Sequence, residues 1–175
     1  MRIGIGLGSN IGDRLQNLKQ AVAYICDPAY DSQPLLSSYV YLTQPVDCEV
    51  NTTSFYNMVI ELECEVSPLD LLSRLMKIES DLGRPAQRER NASRTIDLDI
   101  LYTGDQLIKT DELTVPHPRL DQRRFVLQPL ADIRPSLILP GQNKDIATLL
   151  ANLDSGEAPL ERVSKPLFTD SLSTC

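Results

Sequence analysis

Hydrophobic periodicity divides the first hundred residues into a fixed order of elements, and that order constrains the fold more than any single motif. Residues 2–7 (RIGIGL) form a short apolar run that reads as a buried strand, broken by Gly8-Ser9-Asn10. Residues 13–26 place Leu15, Leu18, Ala21, Val22 and Ile25 at helical spacing, and Pro28 ends that run. Residues 35–41 read as a strand and residues 44–54 as a polar loop. Residues 55–64 alternate, with Tyr56, Met58, Ile60 and Leu62 against Phe55, Asn57, Val59 and Glu61. Ser67-Pro68-Leu69-Asp70 predicts a helix start, Ser67 as N-cap and Pro68 in the first turn. Leu71, Leu72, Leu75, Ile78 and Leu82 make the apolar face of that helix, and Gly83 ends it. Residues 84–93 read as a polar loop, followed by the strand SRTIDLDIL at 93–101.

Strand, helix, strand, strand, helix, strand is the split βαβ order of a ferredoxin-like fold, an α/β (α+β) domain with an antiparallel sheet. Beyond it the sequence predicts a helical appendage, with residues 113–117 extended and residues 122–133 and 146–153 helical. Periodicity is lost after Asp154. Residues 1–153 are therefore expected to form one domain, and residues 154–175 a loosely ordered tail.

Net charge is −7, which argues against a protein that coats nucleic acid, since such domains are usually basic. Seven of the twelve arginines nonetheless fall in two short stretches: Arg84, Arg88, Arg90 and Arg94, then Arg119, Arg123 and Arg124. Concentrated arginines in an acidic protein suggest a specific anion site. Cys26, Cys48, Cys64 and Cys175 show no CxxC spacing, and His117 is the single histidine, so the pattern argues against a structural zinc site. The cysteines read as free thiols of a reducing compartment. The apolar N-terminal run is too short for a signal peptide, and no stretch approaches the roughly 20 apolar residues of a membrane span. A soluble, cytoplasmic protein is expected, with no membrane and no nucleic-acid partner.

The strand at 93–101 raises the chemical question. Ile96, Leu98 and Ile100 face one way, and Asp97 and Asp99 the other. Asp is depleted in strands. A solvated face would account for two aspartates. The four-arginine loop that leads into them points elsewhere, because paired carboxylates attract a cation and arginines attract anions. Mg²⁺ binds through one or two carboxylates plus phosphate oxygens, and arginine binds phosphate through a planar fork. The combination suggests a metal-bound polyphosphate. There is no GxxxxGK[ST] loop and no HRD or DFG set, and Gly4, Gly6 and Gly8 do not fit GxGxxG because Ser9 follows. Those glycines are expected to let neighbouring backbone approach closely. His117, between Pro116 and Pro118, is expected to be held stiffly on the surface, where it serves either a structural or a phosphate-contact role. A ferredoxin-like RNA-binding module and a metal-dependent nucleotide hydrolase remain alternatives at this point, although an RNP aromatic signature is missing.

Together, Gly8-Ser9-Asn10, Phe55-Tyr56-Asn57, Gly83-Arg84, RTIDLDIL at 94–101, and LTVPH at 113–117 with Arg123, Phe125 and Pro129-Leu130 resemble the 6-hydroxymethyl-7,8-dihydropterin pyrophosphokinase family of folate biosynthesis. The resemblance extends to about Pro140. It implies transfer of pyrophosphate from ATP to the hydroxymethyl group of a reduced pterin, with AMP leaving. By matching position it implies that Asp97 and Asp99 bind two Mg²⁺ and that Arg84 and Arg94 meet the phosphates as catalytic arginines. It implies ATP contacts at Glu79, Arg90, Ile100, Thr114, His117 and Arg123. The pterin contacts it implies are Thr43, Pro45, Val46, Phe55, Asn57 and Phe125. ATP and hydroxymethyl-dihydropterin are the expected partners, and a monomer is expected. Three positions depart from the family pattern. Asn91-Ala92-Ser93 stands where many members have Trp-Gly-Pro, Ala86 where many have a second loop arginine, and Glu112 where arginine is common.

Overall fold

The computed structural model describes residues 1–27, 32–44, 53–83, 94–153 and 160–168. Its core is built from β1 (Arg2–Ser9), α1 (Arg14–Ile25), β2 (Gln33–Ser37), β3 (Val40–Thr43), β4 (Phe55–Glu63), α2 (Pro68–Asp81) and β5 (Asp97–Thr103). The helix ends follow the local chemistry. Asp13 accepts the Gln16 N–H at 3.0 Å and starts α1. Ser67 accepts the Asp70 N–H at 3.1 Å, while its own hydroxyl donates to the Asp70 carboxylate at 2.6 Å. Gly83 follows α2 at φ +92°, where a side chain would be strained.

The sheet is antiparallel, in the order β5-β1-β4-β3, with β2 also on β4. This is the ferredoxin-like arrangement. The single strand expected near residues 35–41 is divided into β2 and β3, both lying along β4. At the break, Ser38 gives its N–H to Val59 O and takes the Val59 N–H on its hydroxyl, each at 2.9 Å. A hydroxyl thus replaces a carbonyl in the ladder, and the chain shifts register without leaving a polar group unmet.

Ile3, Ile5 and Leu7 of β1, Met58, Ile60 and Leu62 of β4, and Leu98 and Ile100 of β5 bury one side of the sheet with Leu18 and Ile25 of α1 and Leu71, Leu75 and Ile78 of α2. The other face of β1 consists of Gly4, Gly6 and Gly8, and side chains from adjacent strands lie across it. A Cβ on Gly4 would fall 2.1 Å from Tyr102, and one on Gly8 would fall 2.7 Å from the Asn57 amide oxygen. The glycines therefore make room for neighbouring side chains, where close backbone approach was expected. A register shift between Gly4 and Ile5 turns both Leu101 and Tyr102 of β5 onto this face.

The appendage packs on this second face. The short ribbon β6 (Ile108–Lys109) and β7 (Thr114–Val115) leads through a 3-10 turn at Leu120–Gln122 into α3 (Arg124–Ile133) and then α4 (Ile146–Ala151). Tyr102 donates to Glu61 at 2.5 Å, and Arg134, at the end of α3, makes a forked contact with the same buried carboxylate. A charge this deeply buried needs such pairing.

The loose tail expected after Asp154 is corrected by the structure for residues 160–168. Glu161–Ser164 forms β8, antiparallel to β3, at the edge of the main sheet. Gln128 of α3 brackets Leu160 with two hydrogen bonds, and Arg162 reaches both Tyr41 Oη and Asp132 at 3.2 Å. A four-residue strand is too short to display a period, and its partner lies over a hundred residues earlier in sequence. Residues 154–159 and 169–175 lie outside the described residues.

Candidate active site

One cleft opens on the glycine face of the sheet, enclosing about 840 Å³ when its open mouth is counted. Gly6 and Gly8 of β1 line it, with Leu101 lying over Gly6 and the Asn57 amide oxygen over Gly8. One wall is β5. Asp97 and Asp99 project from it half-buried, two residues apart on the same face, and Leu101 continues the row. Arg94, just before the strand, donates from Nη1 to Asp97 Oδ2 at 2.7 Å, with both side chains about a quarter exposed. The opposite wall is Thr43 of β3 and Phe55 and Asn57 of β4, closed by Arg123, Phe125 and Val126 at the start of α3. Asn57 donates from Nδ2 to Thr43 Oγ1 at 2.6 Å, which leaves its amide oxygen over Gly8. The Arg123 guanidinium lies 5.3 Å from the centre of the Phe125 ring.

The cleft thus brings together Arg94, Asp97, Asp99, Thr43, Phe55, Asn57, Arg123 and Phe125. Four other expected residues lie away from its lining. Ile100 is buried among the core side chains on the opposite face, so only its backbone is available to a ligand. Glu79 is 4% exposed on α2, and its Oε1 accepts the Leu98 N–H at 2.8 Å. That bond occupies the edge of β5 midway between the two aspartates, which makes Glu79 a brace behind the strand. Thr114 pairs with Lys109 in the β6–β7 ribbon.

His117 donates its N–H to Leu101 O at 2.9 Å, which ties it to the end of the aspartate strand. It is half-buried, where a surface position was expected. Burial, together with the Arg123 and Arg119 charges, pushes its pKa down to about 4, against an opposing pull from Asp97. Its Nδ1 accepts the Arg119 N–H at 3.2 Å. The ring is therefore neutral at pH 7 and carries its proton on Nε2, where it can only donate. Arg84, Arg90, Pro45 and Val46 lie outside the described residues.

Sequence reasoning missed Gln44, Leu101 and Val126, which line the cleft. It also assigned no role to Asn10, although Gly8-Ser9-Asn10 carried part of the resemblance. Among the described residues no group of three or more His, Cys, Asp or Glu side chains is placed to hold a metal, and no helix is long and apolar enough to cross a membrane. Cys26 and Cys64 are free thiols, and burial raises the Cys26 pKa to about 11.

The family model for 7,8-dihydro-6-hydroxymethylpterin-pyrophosphokinase (HPPK) matches residues 4–135. The chain is 45% identical over 129 residues to 2-amino-4-hydroxy-6-hydroxymethyldihydropteridine pyrophosphokinase of Bacillus subtilis (strain 168), covering 74% of this chain and 75% of that protein. It is 37% identical over 146 residues to the protein of the same name from Haemophilus influenzae, covering 83% and 88%. It is 35% identical over 152 residues to the folic acid synthesis protein FOL1 of Dictyostelium discoideum, but spans only 22% of that longer chain. Among solved structures, wild-type HPPK-DHPS of Plasmodium falciparum superposes with a TM-score of 0.68 at 18% identity, over 86% of this chain and 40% of that one, a likeness of fold. By the family match and the identity to the bacterial enzymes, the chain belongs to the 7,8-dihydro-6-hydroxymethylpterin-pyrophosphokinase (HPPK) family.

Proposed function

We propose that the cleft carries out its family's reaction, transfer of pyrophosphate from ATP to the hydroxyl of 6-hydroxymethyl-7,8-dihydropterin in folate synthesis with release of AMP, and that Asp97 and Asp99 hold two Mg²⁺ against the ATP phosphates. The observation that carries this reading is that the carboxylates of β5 and an aromatic, amide-bearing wall open onto one cleft. Acceptor and donor substrates must meet, and these two walls suit a polyphosphate and a flat heterocycle respectively.

The donor set fits the metal. Asp97 and Asp99 are half-exposed hard oxygen ligands on one face, and Mg²⁺ needs only one or two carboxylates when phosphates and waters complete its shell. Bound magnesium would neutralise charge on both sides of the bond to be broken. The chain's own residues do the rest. Arg94 presents a guanidinium already held beside Asp97, so it meets an arriving phosphate with little reorganisation. Arg84, Arg90 and Arg123 add positive charge to the same task. His117 offers an Nε2–H donor that adds no charge. Phe55 and Phe125 suit the faces of a pterin ring, while the Asn57 amide oxygen accepts from it. Thr43, Pro45 and Val46 would border the ring. Thr114 and the backbone of Ile100 would border ATP, with Glu79 supporting the strand from behind. The protein acts as a cytoplasmic monomer in this reading.

Incubation with MgATP and hydroxymethyl-dihydropterin, followed by separation of nucleotides, tests the reaction. AMP and pterin diphosphate should form in equal amounts, and only when pterin and Mg²⁺ are both present. ADP would indicate attack at the γ-phosphorus, and AMP without pterin would indicate hydrolysis. Gel filtration tests the monomer.

A further inference from the structure

Asn10 ends the motif Gly8-Ser9-Asn10 and has no part in the chemistry above, yet it is 3% exposed and bonded on three sides. Its Oδ1 accepts the Arg94 N–H at 2.5 Å, and its own N–H donates to Arg94 O at 3.1 Å. Its carbonyl accepts the Thr53 hydroxyl. Three residues beyond Arg94 is Asp97, already paired with the Arg94 guanidinium. Two residues beyond Thr53 is Phe55, where β4 begins. Asn10 therefore touches the chain at the entry to both walls of the cleft. The turn that carries it is held in place from α1, because Asn17 Nδ2 donates to Ser9 Oγ at 3.1 Å and to Ile11 O at 2.8 Å. Arg14 supplies a parallel tie, donating to Ser54 O at 2.7 Å and to Ser54 Oγ at 2.8 Å.

We propose that Asn10 is a positioning residue that joins the two walls: its side chain fixes the backbone from which Arg94 reaches Asp97, and its carbonyl fixes the start of the strand that carries Phe55 and Asn57. The inference rests on the pyrophosphokinase reading of the cleft. An amide suits the position because one side-chain oxygen can substitute for a strand partner at the Arg94 N–H while the adjacent backbone pairs with Arg94 O. The result is a spacer of fixed length between phosphate and pterin walls. In-line transfer is sensitive to that length, since a misplacement of about 1 Å costs on the order of 10²-fold in rate.

The test measures single-turnover rates of AMP formation, KM for each substrate and thermal melting. Asn10→Ala should lower the single-turnover rate about 10- to 100-fold in the wild-type background. In an Arg94→Ala background the same change should cost less than about twofold, because residues acting through one another are non-additive. Asn10→Asp keeps an acceptor oxygen and should recover most of the rate. Thr53→Val, at an exposed position, should raise KM for the pterin and leave KM for ATP unchanged. Asn10→Ser, whose hydroxyl is too short to reach the Arg94 N–H, replaces Asn10→Ala if the latter does not fold. Equal losses in the two backgrounds, or losses that track melting temperature alone, would reduce Asn10 to a structural cap and overturn the proposal. An unchanged pterin KM in Thr53→Val would overturn the joining of the second wall. A wild-type protein that makes no AMP refutes the pyrophosphokinase reading itself, whereas an active wild type with additive variants refutes only the role of Asn10.

Discussion

Gly4→Ala should destabilise the protein far more than Gly6→Ala, although both lie on the same face of the same strand. A Cβ on Gly4 would stand 2.1 Å from Tyr102 Cε1 and 2.7 Å from its Cδ1 and Cζ, well inside contact distance. The ring has little freedom to yield. It is 2% exposed, and its hydroxyl donates at 2.5 Å to Glu61, itself 1% exposed and paired with Arg134. Moving the ring sacrifices a hydrogen bond to a charged group, worth about 1.5–3 kcal/mol. Overpacking the site adds about 1–3 kcal/mol. Restricting the unfolded chain returns about 0.4–1 kcal/mol. The net loss is about 2–5 kcal/mol, a large part of a total stability of about 5–15 kcal/mol. At Gly6 the nearest atom is Leu101 Cδ2 at 3.4 Å, the end of a flexible side chain, so the loss should stay below about 1 kcal/mol. Urea unfolding followed by circular dichroism measures both, and the chain has no tryptophan to serve as a fluorescent probe. Equal midpoints for the two variants, or a loss under about 1 kcal/mol for Gly4→Ala, would refute the argument that β1 is glycine-rich in order to be crossed by side chains.

Asp97→Ala and Asp99→Ala should each abolish turnover and leave the far-ultraviolet dichroism and melting curve near wild type, because the Arg94–Asp97 pair is partly exposed and such pairs contribute about 0–1 kcal/mol; collapse of either variant would make the aspartates structural. The His117 pKa is lower folded (about 4) than unfolded (6.5), so the unfolded chain binds more protons between these values. Its neutral form therefore contributes stability that is complete above pH 6.5 and is lost as pH falls toward 4; His117→Gln should flatten stability against pH across that window, and an unchanged slope would refute the assignment. Truncation after Leu153 should lower the melting temperature by several degrees, since it exposes the β3 edge and removes Arg162 from Tyr41 and Asp132; an unchanged transition would show that β8 adds nothing to the core.

The amino-acid sequence alone determined the main strand-helix-strand-strand-helix-strand order of the core and the alternation of its regular strand stretches, because both follow from periods of a few residues. The split of β2 from β3 and the shift that turns Leu101 and Tyr102 onto one face do not. Asp13 and Ser67 begin helices by accepting N–H groups three residues away, and Asp97 and Asp99 share a face because strands alternate. The family motifs also named Arg94, Asp97, Asp99, Phe55 and Asn57 of the cleft, since RTIDLDIL and Phe55-Tyr56-Asn57 are contiguous, whereas LTVPH lies away from its lining. Only the tertiary structure decided what depends on distant partners. Glu79 braces Leu98 across the α2–β5 contact, His117 is half-buried and neutral beside two arginines, and β8 finds β3 across more than a hundred residues. No local period records such pairings. The three glycines of β1 show the division most directly. Their spacing is visible in the sequence, but their cause is not, because the atoms that need the space belong to Tyr102, Leu101 and Asn57 on the two neighbouring strands. Asn10 is the same case: a polar residue at a strand end by sequence, and a link between two cleft walls only once Arg94 and Thr53 have folded onto it.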